Sequence, residues 1–396
     1  MLEALLAILT VSLQAAPQEE PGFWRRDTIL GDLGGVRPSL AERGITFTLA
    51  FTGEVVSSVS GGLSRDTGAD LLMDWMIDVD LSKALGWTGG SARINPMWLA
   101  GEGISDRVGD LTLLSNINGV PSVRVFEAWL QQSLFDAAFS IRAGILAADQ
   151  EFAFTTPGLL FYNSVFGGPV FLSKNLTWPI YPVGALGARA KVALSEQLYV
   201  QAVVTEGNPG SETLNGSGLR IRLTPGEGVF VLAEAGWTFG EKALGALKVG
   251  LFHHTADFQN FRTGLPQGGL TGGYVVFEHS IAAGVDGFLR LGFAEPEVSM
   301  ISIGVDGGIN VIGLLPGRPE DVLGIGLIYA HIGHDFAQAQ PDAPRWCFEA
   351  ILELTYKITL NRWWSLQPDL QFIVHPGGST AIRNALVLGI RVDLLF

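Results

Sequence analysis

Four arginines stand isolated among small or aliphatic residues. Arg93 lies between Ala92 and Ile94, Arg142 between Ile141 and Ala143, and Arg290 between Leu289 and Leu291; Arg189 and Lys191 flank Ala190. Acids and amides recur in the same kind of setting: Glu127, Glu234, Glu278, Glu349 and Glu353, with Gln131, Gln201, Gln367, Gln371 and Asp369 beside them. Trp129 follows Glu127 by two residues, so on a strand both share one face. Guanidinium and carboxylate groups make the strongest hydrogen bonds available to side chains. Strung along a wall, they suit weak, repeated binding of a solute in transit.

Other chemistries find little support. His253 and His254 are adjacent, and His331 and His334 are three apart, so on strands each pair points to opposite faces and shares no metal. Gly304-Val-Asp-Gly-Gly308 has neither the lysine nor the following helix of a phosphate cradle, and no Gly-x-Ser-x-Gly elbow occurs. Cys347 is the sole cysteine, which excludes an intramolecular disulfide and a cysteine-rich metal site. No catalytic residue, metal or cofactor is expected. A net charge of −14 argues against a nucleic-acid partner.

The elements that position these residues follow from a two-residue rhythm. In the last stretch, Leu386, Leu388, Ile390, Val392, Leu394 and Phe396 point one way, and Arg391 and Asp393 the other. The chain is 47% hydrophobic, with a mean hydropathy of +0.32, yet no apolar run reaches the ~20 residues of a spanning helix. Only helices and closed barrels satisfy the backbone in lipid, so alternating strands must do the spanning. A lipid-facing charge costs ~2–4 kcal/mol at mid-membrane, which turns the mid-strand arginines inward. Segments with this rhythm start at Ile45 and recur at 71–82, 90–100, 123–134, 138–147, 186–193, 197–206, 228–237, 246–254, 273–281, 286–293, 298–307, 322–331, 346–358, 363–374 and 384–396. Trp75, Trp98 and Trp237 fall on outward faces.

Leu219-Arg-Ile-Arg-Leu223 alternates equally well. Parity excludes it. Short turns belong on the periplasmic side and long loops outside, with an even strand count. The long connections 101–122, 148–185, 255–272 and 332–345 all fall outside only if 219–223 is loop. The reading is an all-β protein: a 16-stranded antiparallel transmembrane β-barrel over residues 45–396, with 308–321 as a long periplasmic turn. Residues 1–16 read as a signal peptide remnant, and 17–44 as a periplasmic arm with a short helix from about Val36 to Arg43. The loop 148–185 carries eight aromatics, among them Phe161, Phe166 and Phe171, and is expected to fold inward and narrow the lumen.

Three blocks carry a family resemblance: Leu30-Gly-Asp-Leu-Gly-Gly-Val-Arg37; Trp178-Pro-Ile-Tyr-Pro-Val-Gly-Ala-Leu-Gly-Ala-Arg189; and Trp364-Ser-Leu-Gln-Pro-Asp-Leu-Gln-Phe-Ile-Val-His-Pro-Gly-Gly378. Over about residues 27–396 the chain resembles the carbohydrate-selective porins of the OprB type, although Leu33 stands where that family usually carries Trp. The resemblance implies a narrowed 16-stranded barrel in the outer membrane of a Gram-negative bacterium, passing small sugars by diffusion through an arginine-rich, acid-dotted constriction. The residues expected to line it are Arg93, Glu127, Trp129, Arg142, Arg189, Lys191, Gln201, Glu234, Glu278, Arg290 and Glu349, with Trp129 offering a face to a sugar ring. The expected partners are small sugars, outer-membrane lipid and, through the apolar outer band, a second copy of the chain in a homo-oligomer. The alternatives are a non-selective diffusion porin, an adhesin or enzyme barrel, and a soluble β-rich protein that needs no detergent.

Overall fold

In the computed structural model, which describes residues 22–221, 223–240, 244–340 and 345–396, sixteen antiparallel strands close into one barrel. They are β1 Ile45–Gly62, β2 Thr67–Asp80, β3 Gly90–Glu102, β4 Ser122–Leu134, β5 Phe139–Leu146, β6 Ala185–Ala193, β7 Leu198–Glu206 and β8 Val229–Phe239. The second half comprises β9 Gly245–Gln259, β10 Pro266–Ala282, β11 Val285–Ala294, β12 Ile301–Ile312, β13 Val322–Ile332, β14 Phe348–Asn361, β15 Trp364–Val374 and β16 Arg383–Leu395. Each strand pairs with its sequence neighbour, and β1 pairs with β16 to close the ring. Aliphatic and aromatic side chains such as Leu251, Leu289, Phe293 and Leu327 are exposed on the outside, as are Trp75, Trp98 and Trp237. Arg391 lies on the inner face, bonded to Glu54 at 2.7 Å.

Residues 219–221 and 223 lie outside any strand, as parity requires. Other boundaries differ from the sequence reading. β9 and β10 run on to Gln259 and back from Pro266, so the expected loop 255–272 shrinks to a short connection. Past the apolar belt both faces turn polar and the rhythm fades, but ladder pairing continues, with Pro266 opposite Gln259. β12 likewise continues to Ile312, which shortens the long turn before β13. β2 stops at Asp80, because its carboxylate caps a short helix, Leu81–Leu85, by accepting from the Ser82 and Lys83 amides at 2.9 and 3.2 Å.

Another helix, Val36–Glu42, precedes β1. Arg37 donates to the carbonyls of Phe47 and Phe396, and Ile29 N–H donates to Leu395 O, so this segment ties both ends of the closing seam. The expected signal segment, 1–16, lies outside the described residues.

The segment between β5 and β6 packs against the inner wall. Its aromatics sit on glycines that face inward. A Cβ at Gly292 would stand 2.1 Å from the Phe171 ring, and one at Gly326 2.6 Å from the Phe166 ring. Phe161 and Phe166 stack at 4.4 Å and, with Val165, Val170 and Phe288, build an apolar core inside the barrel. The segment's backbone is held by wall side chains. Glu353 accepts from the Tyr162 and Asn163 amides at 2.6 and 3.0 Å, and Gln367 donates to Leu160 O at 2.7 Å. Part of the β3–β4 connection is held the same way: Asn116 N–H donates to Tyr162 O at 2.7 Å, and Gln371 donates to Leu114 O at 2.8 Å. At the start of the inward segment, Asp149 accepts from Tyr181 N–H at 3.2 Å, and burial pushes its carboxyl up to about 7.

Two outcomes follow. Gly292→Val forces Phe171 off the wall at a cost of about 1–3 kcal/mol; the heat-modifiable gel shift moves to lower temperature, and single-channel conductance rises as the segment loosens. Asp149 holds its proton longer folded than unfolded, so its contribution to stability falls as pH rises from about 4, the ordinary carboxyl range, to about 7. Asp149→Asn mimics the protonated acid and removes that pH dependence, so thermal melts of the two proteins across the window should converge toward low pH and diverge toward pH 7 in favour of the variant.

Candidate functional site

Cross-strand register assembles what the sequence scatters. Arg93 on β3 pairs with Asp78 on β2 and Trp129 on β4. Gln131 on β4 pairs with Arg142 on β5, and Arg142 with Arg189 on β6. Lys191 on β6 pairs with Gln201 on β7, and Gln201 with Glu234 on β8. These residues make a polar belt along one side of the inner wall.

Within the belt, Arg93 Nε donates to Asp78 at 2.7 Å, and Glu127 stands 3.6 Å from the same guanidinium. Arg142 lies over the Trp129 ring at 3.7 Å and Arg93 at 5.4 Å. Trp129 Nε1 donates to Glu127 at 3.2 Å. Glu151, from the inward segment, bonds to Arg142 and stands 2.9 Å from Arg189 Nε. Gln131 accepts from Arg142 at 3.1 Å and from Arg189 at 2.9 Å. Lys191 lies over the Tyr199 ring at 4.2 Å. Next to this belt, Lys248 pairs with Glu278 at 3.1 Å and donates to Phe154 O.

Side-chain exposure separates the groups that can meet a solute from those that cannot. Arg93 and Asp78 keep 27% and 39% of their surface, and Arg142 and Glu151 keep 17% and 23%. Lys191 and Tyr199 are half-buried. Six expected lining residues face inward but are covered, Arg189 among them, bonded to Ser140 and Gln131. Arg290 is fully buried: it pairs with Asp306 at 2.9 Å and donates to the carbonyls of Ala153, Val165 and Phe166. Glu234 accepts from Ala153 N–H, Tyr199, Tyr274 and Gln201. Glu349 accepts from the Leu111, Thr112 and Gly377 amides. Gln201 donates to Glu151 O as well as Glu234, and Glu127 is buried behind Arg93 and Trp129. Glu278 keeps some exposure while accepting from Thr156 N–H at 3.0 Å. Trp129 is 8% exposed and carries Arg142 on its ring, so it offers no open face; it is a plate for the guanidinium groups. The physical reason is common to all: strand parity reports which way a residue points, not what other parts of the chain lay over it.

Four further residues belong to the site. Asp78 shares the inward face with Asp74 and was legible from parity. Lys248 lies between Leu247 and Val249, the same setting that marks the arginines. Tyr199 carries no such charge signal, and Glu151 sits in a segment without periodicity.

A family model described as carbohydrate-selective porin, OprB family, matches residues 73–396. Porin B of Pseudomonas aeruginosa is 27% identical over 419 residues, covering 93% of this chain and 91% of that protein. The putative porin QuiX of Acinetobacter baylyi is 22% identical, covering 94% of each. The high-pH structure of Pseudomonas putida OprB superposes with a TM-score of 0.87 at 23% identity, covering 95% of this chain and all of that one. With the closed barrel and the narrowed, arginine-bearing lumen in place, the chain belongs to the OprB family of carbohydrate-selective porins of the Gram-negative outer membrane.

Proposed function

We propose that small sugars cross this porin by diffusion past Arg93, Asp78, Arg142, Glu151 and Lys191, which bind hydroxyls in passing. The observation that carries the reading is the combination of partial exposure with fixed geometry. These charged groups stay accessible where the inward segment covers much of the remaining wall. A sugar shedding water needs paired donors and acceptors, and a guanidinium beside a carboxylate provides both. Each group already has a protein partner, so a passing hydroxyl competes for its bonds and is held weakly, as release requires. The half-buried rings of Tyr199 and Phe154 supply apolar surface for the C–H face of the sugar.

The chain acts as a channel, and no catalytic step is assigned to it. On this reading 22–44 belong to the periplasmic mouth, and the sixteen strands from Ile45 to Leu395 form the membrane-spanning unit. The outer belt of leucines, isoleucines and phenylalanines meets outer-membrane lipid and serves a neighbouring copy in a homo-oligomer equally well.

The test is ion current through the purified protein in a planar bilayer, titrated with glucose. Glucose is expected to reduce the current saturably; a current that glucose leaves untouched would make this a non-selective pore. Arg142→Ala is expected to raise the half-blocking concentration about tenfold, the equivalent of one charge-assisted hydrogen bond of ~1.4 kcal/mol. Trp129→Ala is expected to raise it ~3–10-fold, because both guanidinium groups lose their plate. Unchanged sugar block in both variants would remove this belt from the sugar path.

A further inference from the structure

Resting on that reading, we infer that the same passage has a carboxylate subsite at Lys191 and Arg142, with the buried Arg189 behind them, and that polyhydroxylated monocarboxylates of monosaccharide size are substrates alongside neutral sugars. Elsewhere on the inner wall, several cations come with a carboxylate of their own. Arg290 has Asp306, Lys248 has Glu278, Lys357 has Asp393 and Arg391 has Glu54. Around β5 and β6 the ratio changes. Arg142 and Arg189 are direct cross-strand neighbours, and both turn to the single carboxylate of Glu151. Lys191, two residues on along the same face, has no carboxylate within 4.0 Å among the described residues; its contact is the Tyr199 ring. Two of these three cations touch one acid and the third touches none, with Glu127 and Glu234 acting on Arg142 and Lys191 from farther off.

Like charges placed directly opposite across a strand pair are unfavourable unless an anion sits between them. Glu151 is that anion for the arginine pair, and it shows that a carboxylate fits there. Lys191 and the exposed part of Arg142 remain open to a second one. Gln131 and Tyr199 border the cluster with polar atoms suited to hydroxyl groups. A simple halide would use the charges alone. A sugar acid uses both, its carboxylate on Lys191 and its hydroxyls on the groups that receive neutral sugars. Partly exposed cations that keep their protein contacts hold such an ion only briefly, so it passes rather than plugs.

The test uses the full-length protein in planar bilayers, with D-glucose and D-gluconate added separately at constant KCl. In 0.1 M KCl, gluconate should half-block the current at a concentration ~10-fold below glucose. In 1 M KCl, where the Debye length falls from ~10 to ~3 Å, that ratio should approach one. Lys191→Gln should reduce the low-salt ratio ~5-fold or more, while Lys191→Arg, a control for folding and charge, should preserve it. A wild-type ratio of one or less in 0.1 M KCl would overturn the carboxylate subsite, as would a ratio that Lys191→Gln leaves unchanged. A channel blocked by gluconate and indifferent to glucose would instead sink the sugar reading and leave the anion subsite standing.

Discussion

Buried peptide groups need partners, and the way this barrel supplies them governs the rest of its structure. A segment folded into a barrel cannot join the wall's hydrogen-bond ladder, because the ladder is complete. Its amides and carbonyls must bond to side chains, and an unmet buried donor costs ~1–3 kcal/mol. The inner wall provides those side chains in matched kinds. Glu234, Glu349 and Glu353 accept from backbone amides. Arg290, Gln367 and Gln371 donate to backbone carbonyls. A large share of the wall's polar inventory is therefore structural.

That division shapes the passage. Where the inward segment lies against β8 to β15, inward glycines make room for Phe161, Phe166 and Phe171, and the lumen fills with an apolar core. Around β2 to β6, where the segment touches the wall through Glu151, the charged side chains Asp78, Arg93 and Arg142 keep contact with water. The asymmetry is written in residue size: no Cβ where aromatics must approach, and long cationic side chains where the wall stays wet. Trp129 lies between the two regimes, buried like the core yet stacked beneath Arg142 of the passage.

Much of the architecture was legible before any coordinates. Strand number came from alternation combined with parity, and that argument correctly kept 219–221 and 223 out of the wall. Arg391 and Asp393 against Leu388 and Ile390 gave the inner and outer faces of the last strand. Boundaries were less legible where two-sided polarity masked strands that continue beyond the belt, as in β9 and β10, or where one carboxylate ended a strand early, as Asp80 does. The inward course of 148–185 was foreshadowed by its aromatics. The part played by the β3–β4 connection, which enters through Leu111, Leu114 and Asn116, had no comparable signal.

The sequence by itself determined the direction of each wall side chain, because a two-residue period and the expense of burying charge in hydrocarbon leave one solution. It could not determine which inward residues stay wet. Arg142 and Arg290 have near-identical local settings, each a lone guanidinium between small or aliphatic neighbours, yet one keeps part of its surface in water and the other is sealed under carbonyls. Only the path of a segment more than a hundred residues away from Arg290 decides between them. Local pattern encodes orientation; exposure depends on packing between parts of the chain that are distant in order, and it emerges only when the barrel has closed around them.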